Sequence, residues 1–287
     1  MKAIIQPESG LSPVVAALRK AKVSIDICIF RLDRKEIEDA LGAAVTRGVK
    51  VRALIANVNS GGTASLRKLE QRLLEAGVAV TRTSDELVRY HGKYMVVDKM
   101  LWVFGFNFTK IDTARSRSFA VATRDQRAVK EASSLFEADT TRQPYAPSKS
   151  NLVVSPETAR DVLGKFLKGA RKELAIYDIK VQDPAMIRLL DERARKGVKV
   201  RIIGSLKGSI QGVAVYPLTG FRLHVRAIIR DGTRAFVGSQ SLRTLELDER
   251  RELGLLVSNP SVTRQLLHVF EADWEASAKG KDKVAAG

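Results

Sequence analysis

Apolar residues form two kinds of pattern along the chain, short continuous runs typical of buried strands and longer stretches with helical spacing. One helical stretch follows Ser12-Pro13 and another follows Ser155-Pro156, where serine and proline are typical of the start of a helix. Each leads into a strand-like run and then into a second helix. The predicted strands lie at 23–30 and 173–179, and the predicted second helices at about 34–47 and 184–196. Strands that alternate with helices predict an α/β architecture in which helices flank a sheet.

The same order of elements occurs twice, which indicates an internal duplication. Both second helices end in nearly the same segment, with Gly48 and Gly197 suited to the left-handed position that ends a helix. These glycines are 149 positions apart, whereas the two histidine motifs described below are 133 apart, so the second half is shorter by 16 residues. The missing segment corresponds to an amphipathic helix predicted at 65–76. We therefore expect the second half to be more open on that side.

A segment rich in polar and turn-forming residues, 138–150, separates the two halves. We expect two domains, an N-terminal repeat over 1–145 and a C-terminal repeat over 146–287. The alternation of strands and helices does not by itself identify one particular fold. It also leaves open whether the two sheets join.

Composition and charge narrow the class of protein and the kind of partner. The chain has 287 residues, of which 45% are hydrophobic and 28% charged, as in ordinary globular proteins. A net charge of +17 favours an anionic partner: nucleic acid, an anionic lipid surface or a small anionic substrate. No apolar run approaches the roughly 18 residues of a membrane span, the N-terminal segment lacks the apolar core of a signal peptide, and the single cysteine lies in an apolar run. We expect a cytoplasmic protein without a transmembrane segment, for which peripheral membrane contact is still possible.

Two copies of the pattern His-x-Lys/Arg-x-x-x-x-Asp contain two of the three histidines of the chain. The copies are His91-Gly-Lys93-Tyr-Met-Val-Val-Asp98 and His224-Val-Arg226-Ala-Ile-Ile-Arg-Asp231. Residues two apart on a strand share a face, so each histidine points the same way as its cation. The aspartates follow at an odd offset and point away, and aspartate before glycine is typical of a hairpin turn. We therefore predict a structural role for Asp98 and Asp231.

A pair of histidines, each beside a cation, suits the cleavage of a phosphodiester without a metal. A neutral histidine can attack phosphorus and carry a covalent phosphoryl group, and a protonated one can donate to the leaving oxygen. Lys93 and Arg226 would neutralise the non-bridging oxygens as charge develops. The carboxylates are not clustered with the histidines, and one cysteine gives no zinc pattern. We expect no metal and no cofactor.

The doubled motif resembles the signature of the phospholipase D superfamily, in which Gly-Ser-x-Asn follows each motif. The corresponding segments here are Gly105-Phe-Asn107 and Gly238-Ser239-Gln-Ser241. The resemblance covers nearly the whole chain. It implies two α/β repeats, each a helix-flanked mixed sheet, related by a pseudo-twofold axis with the active site at their interface, and a phosphohistidine intermediate. It further implies His91 as nucleophile and His224 as general acid, although the motif fits the reverse assignment as well.

Each copy departs from the superfamily pattern at a different place. The first keeps Asn107 without the serine, and the second has Ser241 where asparagine is expected and arginine where lysine is expected. The superfamily often has a glutamate eleven residues after that asparagine, thought to orient an imidazole. Glu252 fits this spacing in the second half, and Ser118 stands there in the first. The catalytic candidates are thus His91, His224, Lys93 and Arg226, and the substrate-binding candidates are Asn107, Ser239, Ser241 and Glu252.

The substrate is a phosphodiester, either nucleic acid or anionic phospholipid. We favour a nuclease-type enzyme, because Phe106-Asn-Phe-Thr-Lys110 resembles the small bacterial nucleases of the superfamily and the predicted rim loops at 57–63 and 205–209 are polar. The alternative is a phospholipase D or cardiolipin-synthase-like hydrolase or transferase, for which the apolar segment 213–221 would form a lip. A further alternative is a degenerate, non-catalytic protein that binds nucleic acid or anionic lipid. We expect a monomer.

Overall fold

The structure, a computed structural model, describes residues 1–58 and 63–285, without the side chains of residues 63 and 280–285. The first half contains β1 (Lys2–Gln6), α1 (Ser12–Lys20), β2 (Ser24–Ile29), α2 (Lys35–Thr46), β3 (Lys50–Ile55), α3 (Thr63–Glu75), β4 (Ala79–Arg82), β5 (Arg89–Tyr90), β6 (Tyr94–Val97), β7 (Met100–Phe104), α4 (Lys110–Ala114), β8 (Ser116–Thr123) and α5 (Gln126–Thr141). The second half contains β9 (Leu152–Ser155), α6 (Ala159–Lys168), β10 (Glu173–Val181), α7 (Pro184–Arg195), β11 (Lys199–Leu206), β12 (Val213–Tyr216), β13 (Arg222–Leu223), β14 (Arg226–Arg230), β15 (Arg234–Gly238), α8 (Thr244–Asp248), β16 (Arg250–Val257) and α9 (Pro260–Ala285).

Two mixed sheets with the same topology confirm the predicted pair of α/β repeats. The first has the order β1-β8-β7-β6-β2-β3-β4, and the second has β12-β11-β10-β14-β15-β16, with β9 also on β16. Each sheet is completed by a two-residue strand from the opposite half, because β13 pairs with β8 and β5 pairs with β16. This exchange places the residues just before each histidine motif on the sheet of the other repeat. The helix α3 has no counterpart between β11 and β12, as the length difference predicted.

The start of the second repeat differs from the prediction. The helix α1 begins at Ser12, but Ser155 is the last residue of β9 and pairs with β16, so the prediction that Ser155-Pro156 opens a helix is wrong. Pairing of β9 across the sheet overrides the local helix-start signal. The equivalent of Ser155-Pro156 is Gln6-Pro7 at the end of β1, 149 positions earlier, which is also the spacing between Gly48 and Gly197. The expected boundary at 145/146 falls in the connection between α5 and β9.

A shared apolar core lies between the two sheets, and a further core lies under the outer helices of each repeat. The helices α5 and α9 pack against strands of both repeats within the shared layer. Phe119 of β8 contacts Tyr177 of β10 edge to face, with ring centroids 5.5 Å apart. Side chains of this size each contribute about 1.5–3 kcal/mol when buried. The shared core therefore fixes the position of one repeat on the other.

Two buried arginines, one on each sheet, form equivalent ion pairs across the interface between the repeats. Arg117 of β8 and Arg251 of β16 each bind a carboxylate of their own repeat and one from the opposite repeat. The partners are Asp273 (2.7 Å) and Glu8 (2.7 Å) for Arg117, and Asp139 (3.2 Å) and Glu157 (2.6 Å) for Arg251. Each arginine immediately precedes a residue singled out above, Ser118 or Glu252. The ion pairs thus hold β8 and β16 in place where these strands reach the interface.

Candidate active site

Each motif histidine lies in a loop that is anchored to the opposite repeat. His91 lies between β5 and β6, and its backbone N–H donates to Arg251 O at 2.7 Å. His224 lies between β13 and β14, and its N–H donates to Arg117 O at 3.2 Å. Both residues are buried, with 8% and 6% of their surface exposed. The sheet exchange therefore brings the two motifs to one interface, as the resemblance implied.

The glycines that follow the motifs also meet at this interface. A Cβ atom built on Gly105 would lie 3.2 Å from Gly238 O and 3.0 Å from Phe119 O. A side chain at this position would push the two loops apart, so glycine permits their close approach. Arg226 and Lys93 lie near enough to His224 that their positive charges add to the effect of burial in lowering its pKa.

His91 is oriented by a carboxylate from the second half. Its Nδ1 lies 2.8 Å from Glu252 Oε2 and 3.0 Å from Oε1. Burial favours the neutral form of Glu252, but His91 and Lys93 outweigh burial and hold its pKa below the usual range. An ionised carboxylate accepts the Nδ1–H and leaves the lone pair of the ring on Nε2. Burial lowers the pKa of His91 to about 4 despite Glu252, so the ring is neutral at neutral pH.

The two motif cations are buried without a carboxylate partner in the part of the chain that the structure describes. Lys93 donates to His91 O at 2.7 Å and to His91 Nε2 at 3.0 Å, and burial lowers its pKa to about 7. Among the described residues Arg226 makes two hydrogen bonds, both 3.3 Å long, from Nε to Ser241 Oγ and from Nη1 to His224 O, and burial lowers its pKa also. Burying an unpaired charge is unfavourable. Such a pair of cations is best explained as a site for an anion.

His224 has a weaker carboxylate contact, and it comes from a position that the sequence did not indicate. Its Nδ1 lies 3.4 Å from Oδ1 of Asp112, which belongs to α4 of the first half and is 1% exposed. Ser118, at the position equivalent to Glu252, donates its hydroxyl to His224 O and not to the ring. Burial, followed by the charges of Arg226 and Lys93, lowers the pKa of His224 well below its usual value.

The remaining polar candidates hold other site residues in place. Asn107 donates from N and Nδ2 to Asp112 Oδ2, at 3.0 and 2.8 Å, while its buried Oδ1 has no hydrogen-bond partner among the described residues. Ser239 accepts from Leu253 N at 3.2 Å and also bonds Glu252, lowering the pKa of that carboxyl. Ser241 accepts from Arg226. Eight of the predicted residues therefore meet at one interface: His91, Lys93, Asn107, His224, Arg226, Ser239, Ser241 and Glu252.

The motif aspartates lie away from this interface, at the far ends of β6 and β14. Asp98 Oδ1 accepts from Val23 N and Ser24 N at 2.8 and 3.0 Å. Asp231 Oδ1 accepts from Lys172 N and Glu173 N at 2.7 and 3.1 Å. Both residues have a positive φ, 53° and 54°, and occupy tight turns. Each aspartate therefore joins a turn to the start of the neighbouring strand.

Among the described residues, no group of three or more histidine, cysteine, aspartate or glutamate side chains is arranged to hold a metal ion. Over the same residues, no helix combines the length and apolar character needed to cross a bilayer. The predicted rim loop at 57–63 lies partly outside the described residues, because 59–62 are not among them.

Comparison with known proteins gives matches over both halves. The family described as "Cardiolipin synthase, PLD-like domain" matches residues 14–140 and 163–274. Human mitochondrial cardiolipin hydrolase is 27% identical over 164 residues, which are 53% of this chain and 62% of that protein. The chain spans about half to two thirds of the length of the curated relatives it matches.

Two solved structures share the architecture over nearly all of the chain. Polyphosphate kinase from Porphyromonas gingivalis aligns with a TM-score of 0.78 and 18% identity, covering 95% of this chain and 50% of the kinase. Phosphatidylserine synthase from Haemophilus influenzae Rd KW20 aligns with a TM-score of 0.70 and 13% identity, covering 96% of this chain and 85% of the synthase. At these identities the likeness establishes the fold.

Proposed function

Because this chain belongs to the phospholipase D superfamily, we propose that it cleaves phosphodiesters without a metal through a phosphohistidine intermediate on His91. The observation that carries the proposal is the meeting of two neutral histidines, one from each half, with two buried cations that lack a carboxylate partner among the described residues. A phosphodiester supplies the missing negative charge. It also places a phosphorus atom between a nucleophile and a proton donor.

The first step forms a P–N bond and breaks a P–O bond. His91 Nε2 attacks phosphorus once the Lys93 ammonium has moved from Nε2 to a non-bridging oxygen. Arg226 binds the other non-bridging oxygen and stabilises the charge that develops in the transition state. The leaving oxygen takes a proton from His224, whose pKa rises when the substrate anion arrives.

The second step breaks the P–N bond and forms a new P–O bond. Neutral His224 accepts a proton from water, or from an alcohol, as its oxygen attacks phosphorus. The P–N bond breaks, His91 returns to its starting form, and a phosphomonoester or a new phosphodiester is released. Hydrolysis and transfer thus share one intermediate.

The contrast between the two rings supports His91 as the nucleophile. Its Nδ1 is held at 2.8 Å by a fully buried, ionised carboxylate, which makes Nε2 more electron-rich. The corresponding contact of His224 is 3.4 Å long, and three neighbouring cationic side chains act on this ring. A ring surrounded by cations gives up a proton readily, which suits a general acid.

We propose an anionic phospholipid as the substrate class. Two large apolar side chains, Val88 and Ile111, are 64% and 49% exposed in segments next to site elements. Val88 immediately precedes β5, and Ile111 immediately precedes Asp112. Exposed apolar side chains beside the basic residues Arg89 and Arg222 suit contact with an anionic membrane surface. The family description and the name of the human relative point to the same class.

Nucleic acid is the second candidate, because a net charge of +17 suits a phosphate backbone. The segment 106–110, which favoured a nuclease on sequence grounds, contributes less than expected. Phe106 and Phe108 are 0% and 2% exposed and pack in the core of the first repeat, so they offer no face on which a base could stack.

We also propose that the active form is a monomer, because both histidines and both cations come from one chain. The cytoplasmic location expected from the sequence stays a prediction.

The test is a substrate panel in excess EDTA with the full chain. Liposomes containing cardiolipin or phosphatidylglycerol, with and without glycerol as acceptor, are compared with single-stranded DNA and RNA. We expect turnover of the anionic lipid and a loss on the order of 10²–10⁴-fold in His91→Ala and His224→Ala. His268→Ala, on the exposed side of α9, is the matched control and keeps full activity. Cleavage of nucleic acid alone would replace the lipid proposal, and binding without turnover of any substrate would refute the enzyme.

A further inference from the structure

The first half lacks the glutamate that would orient His224. Ser118 occupies the position equivalent to Glu252, and its hydroxyl donates to the backbone oxygen of His224, at 3.3 Å, rather than to the ring. A general acid needs a fixed ring orientation and a group that stabilises its charged form. Some other residue must provide both for His224.

Asp112 is held in a geometry that fits this task. Its Oδ2 accepts two hydrogen bonds from Asn107, and its backbone N–H donates to Thr109 Oγ1 at 3.3 Å. These contacts direct Oδ1 across the interface, where it lies 3.4 Å from His224 Nδ1 and accepts from Arg222 Nη1 at 2.7 Å. The buried Nδ1 of His224 has no closer hydrogen-bond partner in the part of the chain described.

The second half provides an internal comparison. Glu246 follows Ser241 by five residues, as Asp112 follows Asn107, and it lies on the equivalent short helix, α8. Its carboxylate binds Arg250 and Arg243, not an imidazole. An acidic residue on this helix therefore has no inherent need to contact a histidine, and the contact of Asp112 is particular to the first half.

We propose that Asp112 is the positioning residue of His224, replacing from a helix of the opposite repeat the glutamate that the first half lacks, and that Arg222 controls its availability. Arg222 binds the same oxygen that faces His224. The Arg222 side chain is 46% exposed, so a substrate anion entering the site can attract it. Asp112 Oδ1 is then free to accept the Nδ1–H of His224 and to stabilise the imidazolium. This inference rests on the proposed phosphodiesterase function.

Comparing reaction rates on two substrates with different leaving groups shows whether Asp112 positions His224 or only supports the fold. A p-nitrophenyl phosphodiester has a leaving group that departs without a proton, whereas an alkyl phosphodiester of phosphatidylglycerol needs one. We expect Asp112→Asn to lower the first-turnover rate on phosphatidylglycerol by on the order of 10²-fold and the p-nitrophenolate burst by less than about tenfold. Asp112→Glu restores part of the loss. Glu246→Gln, the matched control, leaves the ratio of the two rates at the parent value.

A second variant keeps the test decisive if Asp112→Asn does not fold. Arg222→Gln alters an exposed side chain and removes the competitor for Asp112 Oδ1. In the substrate complex the bound anion raises the pKa of Lys93, so the alkaline limb of the first-turnover rate reports loss of the His224 proton, and we expect this limb to move to higher pH. Equal losses on both substrates in Asp112→Asn, or an unmoved limb in Arg222→Gln, would overturn the inference. A parent enzyme that cleaves neither substrate would instead overturn the proposed function.

Discussion

Replacing Lys93 with methionine should stabilise the protein and abolish its activity. Lys93 is 2% exposed, and its ammonium has hydrogen bonds to His91 but no carboxylate partner within the described residues. Burial lowers its pKa from 10.5 to about 7. Methionine has a similar length and volume without the charge, so the apolar environment accepts it with little repacking.

The size of the effect follows from this pKa. Lowering the pKa of a buried lysine from 10.5 to about 7 means that its charged form destabilises the fold by about 5 kcal/mol. The methionine variant loses two hydrogen bonds of about 1 kcal/mol each and leaves the His91 carbonyl oxygen unpaired, at a further ~1 kcal/mol. The net gain in the free energy of unfolding is therefore about 2 kcal/mol at pH 6.

The gain also has a defined pH dependence. Below pH 7 the lysine is charged in both states, and the full penalty is present. Between about pH 7 and 10.5 the unfolded chain binds a proton that the folded protein does not, so the parent becomes more stable by about 1.4 kcal/mol per pH unit. The advantage of Lys93→Met thus shrinks across this interval and reverses before pH 10.

Urea denaturation at pH 6, 8 and 9.5 measures these differences. Lys99→Met, on the exposed turn between β6 and β7, is the control and should stay within about 0.5 kcal/mol of the parent at every pH. The reasoning is refuted if Lys93→Met is less stable than the parent at pH 6, or if the difference between them does not change with pH. Either result would mean that the charge of Lys93 is compensated within the fold.

Three further predictions concern the site and the interface. Initial rates should give a kcat/KM that falls toward pH 4, as His91 gains a proton, and again above pH 7, as Lys93 loses one; an optimum above pH 8 contradicts this. Glu252→Gln should lower kcat by on the order of 10²-fold in steady-state assays because the His91 tautomer is no longer fixed; an unchanged kcat counts against that role. Asp273→Ala should reduce the free energy of unfolding by about 3 kcal/mol in urea titrations, since Arg117 loses a buried partner; a loss below ~1 kcal/mol would show that the pair is dispensable.

Local sequence patterns were sufficient to predict the two repeated α/β units. The glycines Gly48 and Gly197 mark the same helix end in both copies. The prediction that each histidine lies on a strand is wrong, because His91 and His224 lie in the loops that lead into β6 and β14. The two-residue strands β5 and β13 were beyond prediction, because so short a polar segment has no periodicity and its pairing depends on the opposite repeat. These strands are nevertheless what brings the motifs together.

Asp112 shows why part of the site could not be predicted. Its contact with His224 spans 112 positions and depends on how α4 packs at the interface, whereas its sequence position suggests only an acidic residue in a short helix. The available signal was indirect, namely the serine at position 118 where a glutamate is expected. The misplaced start of α6 has a similar cause, since the pairing of β9 with β16 joins residues about 100 positions apart.

The most direct test of the account is to locate the covalent intermediate. A p-nitrophenyl phosphodiester is incubated with the parent, His91→Ala and His224→Ala proteins, quenched in alkali to preserve the P–N bond, and digested for mass spectrometry. The account predicts a phosphoryl adduct on His91, more abundant in His224→Ala because the second step lacks its base, and none in His91→Ala. An adduct on His224, or continued turnover by His91→Ala, would contradict it.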